Sequence, residues 1–140
     1  MNISLYPSTC NLCGGDVIYT SNADVYHGKE YGSGKCYLCT KCGAYVGTHV
    51  PRPDEAFGVL ADKPMREGKM ACHKLFDSFW RGKKNARWKR AKLYEWLAGE
   101  LSIDVRDCHF GYFNRETLSR AYSILKDVDV DEINEIFRRA

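Results

Sequence analysis

The spacing of apolar positions changes part-way along this chain. Up to about residue 53 they come in short runs bounded by turn-forming residues, and beyond it they recur at helical intervals. Val17–Thr20, Ala23–Tyr26 and Lys35–Leu38 are short β-prone runs, separated by Ser21-Asn22 and Gly32-Ser33-Gly34. Ala44–Val50 is a further expected strand. Pro51 and Pro53 close this part, because proline blocks both a sheet ladder and a helix. Asp62 then suits the cap of a helix beginning near Pro64, with Met65, Met70, Leu75, Phe76, Phe79 and Trp80 as its stripe and Gly82 as its end. A second helix is expected over Ala86–Leu101, with Trp88, Leu93, Trp96, Leu97 and Leu101 on its apolar face. Ile103–Phe113 reads as a connection with a short strand at His109–Phe113. Asn114 caps a third helix through Lys126. Asp129 with Glu132 forms a capping-box-like start for a last helix ending at Arg139. Trp80 and Trp96 read as core, while Trp88 fits either core or an exposed stacking platform.

The cysteines change what the first part must be. Cys10-Asn11-Leu12-Cys13-Gly14 and Cys39-Thr40-Lys41-Cys42-Gly43 are two C-x-x-C-G motifs, with 25 residues between Cys13 and Cys39. Each two-residue gap turns two sulfurs to one side, and the glycine lets backbone amides point back at them. Four such thiolates match one tetrahedral, closed and therefore structural zinc ion. A thioredoxin-like dithiol needs one such pair at a strand–helix junction, and disulfides need an oxidising compartment. The stretch Met1–Pro7 has neither a basic n-region nor an apolar h-region, and no run suffices for a membrane span. The expectation is a reduced, cytoplasmic protein with one zinc ion on Cys10, Cys13, Cys39 and Cys42. Cys36 is a possible competitor as ligand. Cys72 and Cys108 read as buried free thiols.

The expected class is α+β: an N-terminal four-cysteine zinc ribbon packed on a C-terminal portion of about four helices. With 140 residues, one domain is expected, its β part over 1–53 and its helical part over 54–140.

Net charge is only +3, but it is segregated. Between 81 and 92 stand seven basic residues and no acid: Arg81, Lys83, Lys84, Arg87, Lys89, Arg90 and Lys92. Between 127 and 135 stand five acids and no base. The basic run is a candidate partner-binding patch, set against the ordinary reading of a solvated helix face. The histidines His27, His49, His73 and His109 suggest little chemistry. Asp77 lies one turn after His73, which suits a second metal site, but partly buried imidazoles hydrogen-bonded to backbone or carboxylate explain them better.

In the order C-x-x-C-G (Cys10–Gly14), C-x-x-C-G-A-Y-V-G-T-H (Cys39–His49), Leu60–Asp62, His73 with Phe76, Asp77 and Trp80, Tyr94–Ala98 and Cys108–Gly111, the chain resembles a small family of phage and prophage proteins described as zinc-finger-containing and of unknown function. The resemblance implies zinc and a mobile genetic element in a bacterial host, but no reaction. In size and zinc content the chain also resembles phage anti-CRISPR proteins that bind the effector nuclease of a type II system and block its use of DNA. The expectation is a non-enzymatic inhibitor of a host defence protein, without catalytic residues. Direct nucleic-acid binding through the basic run and Trp88 is the alternative, and a metal-dependent nuclease a second one.

Overall fold

The computed structural model describes residues 3–139. Met1 and Asn2, where the stretch read for a targeting signal begins, lie outside them. Among the described residues the chain is α+β, with a three-stranded antiparallel sheet followed by four α-helices. It divides between Arg66 and Glu67 into two compact units.

In the first unit, β1 (Val17–Ser21), β2 (Lys35–Cys39) and β3 (Tyr45–Gly47) lie in the order β1-β2-β3. Val17 faces Cys39, Tyr19 faces Tyr37, and Tyr37 faces Val46. These residues share one face, since side chains alternate along a strand. There Tyr37, Cys39 and Val46 are buried with Cys10, Ala44, Ala56 and Leu60. Few of these side chains are large, so this core is thin, and two of its members are cysteines.

Residues after the prolines return to the sheet. Thr48 bridges Ala56, and Tyr45 bridges Ala61. The hydroxyls of Tyr19 and Tyr37 donate to the carbonyls of Pro53 (2.7 Å) and Asp54 (2.5 Å), fixing the turn that the Thr48–Ala56 bridge closes.

Ala23–Tyr26 is not a strand. Ser21 caps a 3-10 turn over Asn22–Asp24, and the loop is held by one buried side chain. Asn22 Nδ2 donates to the Tyr31 carbonyl (2.7 Å) and its Oδ1 accepts from the Tyr31 amide (3.1 Å). Asn22 thus does what a neighbouring strand would do, and the local β propensity loses to it.

In the second unit, helix α1 (Lys63–Ser78) enters from the first, followed by α2 (Ala86–Leu101), α3 (Arg115–Asp127) and α4 (Val130–Arg139). The expected caps are in place. Asp62 Oδ1 accepts from the Met65 amide (3.0 Å), Asn114 Oδ1 from Thr117 (2.8 Å) and Asp129 Oδ1 from Glu132 (2.8 Å). The unit's core gathers Cys72, Phe76, Leu93, Leu97, Leu101, Cys108, Phe110, Phe113, Leu118, Leu125 and Ile133. Burial pushes the Cys72 and Cys108 thiols up to about 11, so both are inert packing groups.

His109–Phe113 forms a 3-10 turn at Phe110–Tyr112 and not a strand. No strand of the second unit offers it a ladder among the described residues. Met70, placed on the α1 stripe by its sequence position, is 72% exposed. Trp80 and Trp96 are only half-buried, so they border the core and do not fill it.

Replacing Asn22 by alanine leaves the Tyr31 N–H and C=O without these bonds, at a cost of about 1–3 kcal/mol. A lowered thermal midpoint is expected. An unchanged midpoint would remove Asn22 as the organiser of the β1–β2 loop.

Candidate metal centre and basic surface

The two C-x-x-C-G motifs fold alike, bond for bond. The Cys10 amide donates to the Gly15 carbonyl and the Cys39 amide to the Ala44 carbonyl, each at 2.8 Å. The Gly14 amide returns to the Cys10 carbonyl (3.0 Å), and the Gly43 amide to the Cys39 carbonyl (3.1 Å). Gly14 and Gly43 have φ of 75° and 79°, a left-handed conformation that costs glycine nothing. The knuckles are anchored by the residue after each first cysteine. Asn11 exchanges two bonds with the Leu60 backbone (3.0 and 2.9 Å), and both the amide and hydroxyl of Thr40 donate to the Asp16 carbonyl (2.9 and 3.0 Å).

This geometry brings four sulfurs together. Cys10 Sγ lies 3.7 Å from Cys42 Sγ, Cys13 Sγ lies 3.4 Å from Cys39 Sγ, and all four lie within 4.8 Å of one another. A tetrahedron with Zn–S bonds of about 2.3 Å has an edge of about 3.8 Å, so the sulfurs fit one zinc ion. Amides of Leu12, Gly15, Lys41 and Cys42 donate to Cys10, Cys13 and Cys39 sulfurs at 3.3–3.4 Å and would spread the thiolate charge.

The amides also set the sulfur acidities. The Cys42 amide, with that of Lys41, draws Cys39 down to about 6. At Cys42 the Ala44 amide favours the thiolate, but desolvation and hydrogen bonding to the Cys13, Cys39 and Cys10 sulfurs outweigh it and push the thiol up to about 12. Four thiols this close do not all ionise near neutral pH without a cation among them. A zinc ion supplies that cation and releases the protons. Four protein ligands leave no coordination position for a substrate, so the ion is structural.

Cys36 is not part of the cluster. It lies three residues before Cys39 on β2, and an odd offset puts the two side chains on opposite faces of the sheet. It is buried, and burial raises its thiol above the usual range.

His73 and Asp77 do not form a second metal site. Asp77 accepts from Trp80 Nε1 (3.1 Å) and pairs with Arg81 (3.0 Å). His73 instead packs edge-on against Phe110 and His49 edge-on against Phe57, while the His109 ring lies tilted against Tyr112. Among the described residues the four cysteines are the sole cluster suited to a metal ion.

The basic run splits into two groups. Four of its members have partners. Arg81 pairs with Asp77, Lys92 with Glu95 (3.2 Å), Lys89 sits 5.2 Å from the centre of the Phe137 ring, and Arg90 lies 4.9 Å from the centre of Tyr94 and 5.7 Å from Trp80. Lys83, Lys84 and Arg87 are exposed, around a connection whose Gly82 and Asn85 both have positive φ. Trp88 stands beside them, 41% exposed.

A protein-family model described as a zinc-finger-containing domain matches residues 6–128. The chain belongs to this zinc-finger family. Its match runs from just before the first knuckle to just past the end of α3. No curated protein and no solved structure matches the chain. No helix among the described residues is long and apolar enough to cross a membrane.

Two features of the centre were missed in the sequence. Asn11 looked like a spacer between cysteines, and nothing local names Leu60 as its partner. Gly15 has no counterpart glycine in the second knuckle, where Ala44 stands. A Cβ on Gly15 would meet Lys41 Cβ at 2.7 Å and Cys39 Sγ at 3.0 Å. The doubled glycine after Cys13 was the available signal.

Gly15→Ala should therefore force the knuckles apart and weaken zinc retention at least about fivefold, since overpacking commonly costs about 1–3 kcal/mol. Competition with a chromophoric chelator measures this, and retention equal to the parent protein would refute the close approach. Zinc-bound sulfurs are held as thiolates, so their proton affinity is depressed in the folded state. The stability they confer is present at neutral pH and above and is lost as pH falls. Acidification should release one zinc per chain together with a fall in thermal midpoint; a midpoint that stays constant while the metal leaves would contradict the coupling.

Proposed function

We propose that this chain is a non-enzymatic binding protein that meets an anionic surface through the connection between α1 and α2. The observation that carries this reading is the exposure of Lys83, Lys84 and Arg87 without carboxylate partners among the described residues, while Asp77 and Glu95 neutralise Arg81 and Lys92 at either side. Such a surface speeds encounter with an oppositely charged partner and does so less at high salt. The specific form we propose is an inhibitor of a host defence protein encoded by a mobile element. Its candidate target is the effector nuclease of a type II CRISPR system, approached at an acidic surface near its nucleic acid. The zinc centre supports this class of function by bracing a scaffold without offering a site for substrate.

Direct binding of nucleic acid is the second reading, favoured by Trp88. An exposed indole between cations suits a base stacked beside neutralised phosphates.

Charge reversal must spare Arg90, which packs on Trp80 and Tyr94. K83E/K84E/R87E should leave the thermal midpoint within about 1 °C, because exposed unpaired charges contribute little to stability. It should abolish capture of purified effector nuclease and restore DNA cleavage by that nuclease. Inhibition that survives the triple variant would sink the basic surface as the contact. Failure of the parent protein to inhibit, combined with a salt-sensitive mobility shift on single-stranded nucleic acid that the triple variant loses, would establish the second reading in its place.

A further inference from the structure

On the helical unit, away from the basic connection, Trp96 floors a groove with a different chemistry. Three adjoining hollows of about 420, 230 and 180 Å³ all include its side chain. The apolar floor is Trp96 with Ile124, Val128 and Ile136, each half-buried. The charge along the rim is graded. At one end Lys92 pairs with Glu95 and Arg139 with Glu135 (3.3 Å), so that end is self-neutralised. At the other end, the smallest hollow is rimmed by Glu100, Asp127 and Glu132, without a basic residue.

These three carboxylates come from three helices. Glu100 lies in the last turn of α2, Asp127 ends α3, and Glu132 lies in the first turn of α4. The first two stand at the negative ends of helix dipoles, where a carboxylate is disfavoured. Alpha2 as a whole runs against its dipole, with Arg87, Lys89, Arg90 and Lys92 in its first half, Glu95 and Glu100 in its second, and no basic residue in its last turn. Helix stability does not explain this placement, and a cation seated over Trp96 would relieve it.

We propose that the Trp96 groove is a docking site for an arginine- or lysine-bearing segment of a partner protein. A guanidinium or ammonium group lies over the indole face, where the ring quadrupole attracts it. Glu100, Asp127 and Glu132 accept its N–H bonds, and the alkyl stem covers Ile124 and Val128. The site is independent of the basic connection and takes ligands of the opposite charge.

The test titrates the full-length zinc-loaded protein with a hexa-arginine peptide and follows its three indole N–H resonances by NMR, with Trp96→Phe assigning one of them. The Trp96 resonance should shift in saturable fashion while those of Trp80 and Trp88 stay in place. E100Q/D127N/E132Q should weaken the apparent affinity at least about tenfold, the loss expected when charge-assisted bonds become neutral ones. These residues are exposed, so the variant is expected to fold, and its unshifted methyl spectrum verifies this. An unmoved Trp96 resonance, or equal affinity in the triple variant, overturns the proposal. So does a Trp96 shift that appears without peptide as protein concentration rises, with dimers in sedimentation, because the occupant is then a second copy of this chain.

Discussion

Zinc–thiolate bonding at the tips of two knuckles is the constraint on which the first unit depends. Among the described residues its sheet has three strands, the third of three residues, and its core cluster holds few large side chains besides Tyr37, Val46 and Leu60. A core of this size does not offset the entropy of ordering some sixty residues. A tetrathiolate zinc ion contributes on the order of 10 kcal/mol in small domains. It also links residues far apart in sequence, because Cys10 and Cys13 precede β1 while Cys39 and Cys42 lie at the end of β2 and beyond it. The ion thus fixes the register of Val17 opposite Cys39 from which the other strand pairs follow.

The helical unit is organised by other means. Phe110 packs edge to face against both Phe76 (5.6 Å) and Phe113 (5.8 Å), and Tyr94 lies tilted against Phe76 (4.3 Å) and Phe110 (6.3 Å). Side-chain caps begin α1, α3 and α4. With its interior filled by carbon and by two inert thiols, this unit has its distinctive chemistry at the surface. Its charges are sorted there into a basic connection before α2 and an acid-rimmed groove along the later half of α2. The zinc centre braces the first unit, and the proposed binding role rests on the surface charge of the second.

Much of this was legible in the sequence, for a local reason in each case. The spacing of Cys10, Cys13, Cys39 and Cys42 carries the metal geometry directly, since a two-residue gap and a following glycine dictate the turn. Asp62, Asn114 and Asp129 cap because their side chains reach amides only three residues on. What the sequence concealed depends on partners distant along the chain. Asn11 needs Leu60, and Asn22 needs Tyr31. His109–Phe113 has strand-like composition but no neighbouring ladder. Cys36 looked like a spare ligand until the odd offset within β2 turned it to the other face. Asp77 looked like a partner for histidine but is taken by Trp80 and Arg81. The acidic groove is scattered over three helices and leaves no linear motif.

Whether a single metal ion holds the first unit together is measured by hydrogen exchange before and after removal of the ion with a strong chelator under reducing conditions. One zinc per chain is expected, with loss of amide protection across both knuckles and the three strands, from Cys10 to Val46, once it is removed. Amides of that segment that stay as protected in the metal-free protein as in the zinc-loaded one would contradict this expectation.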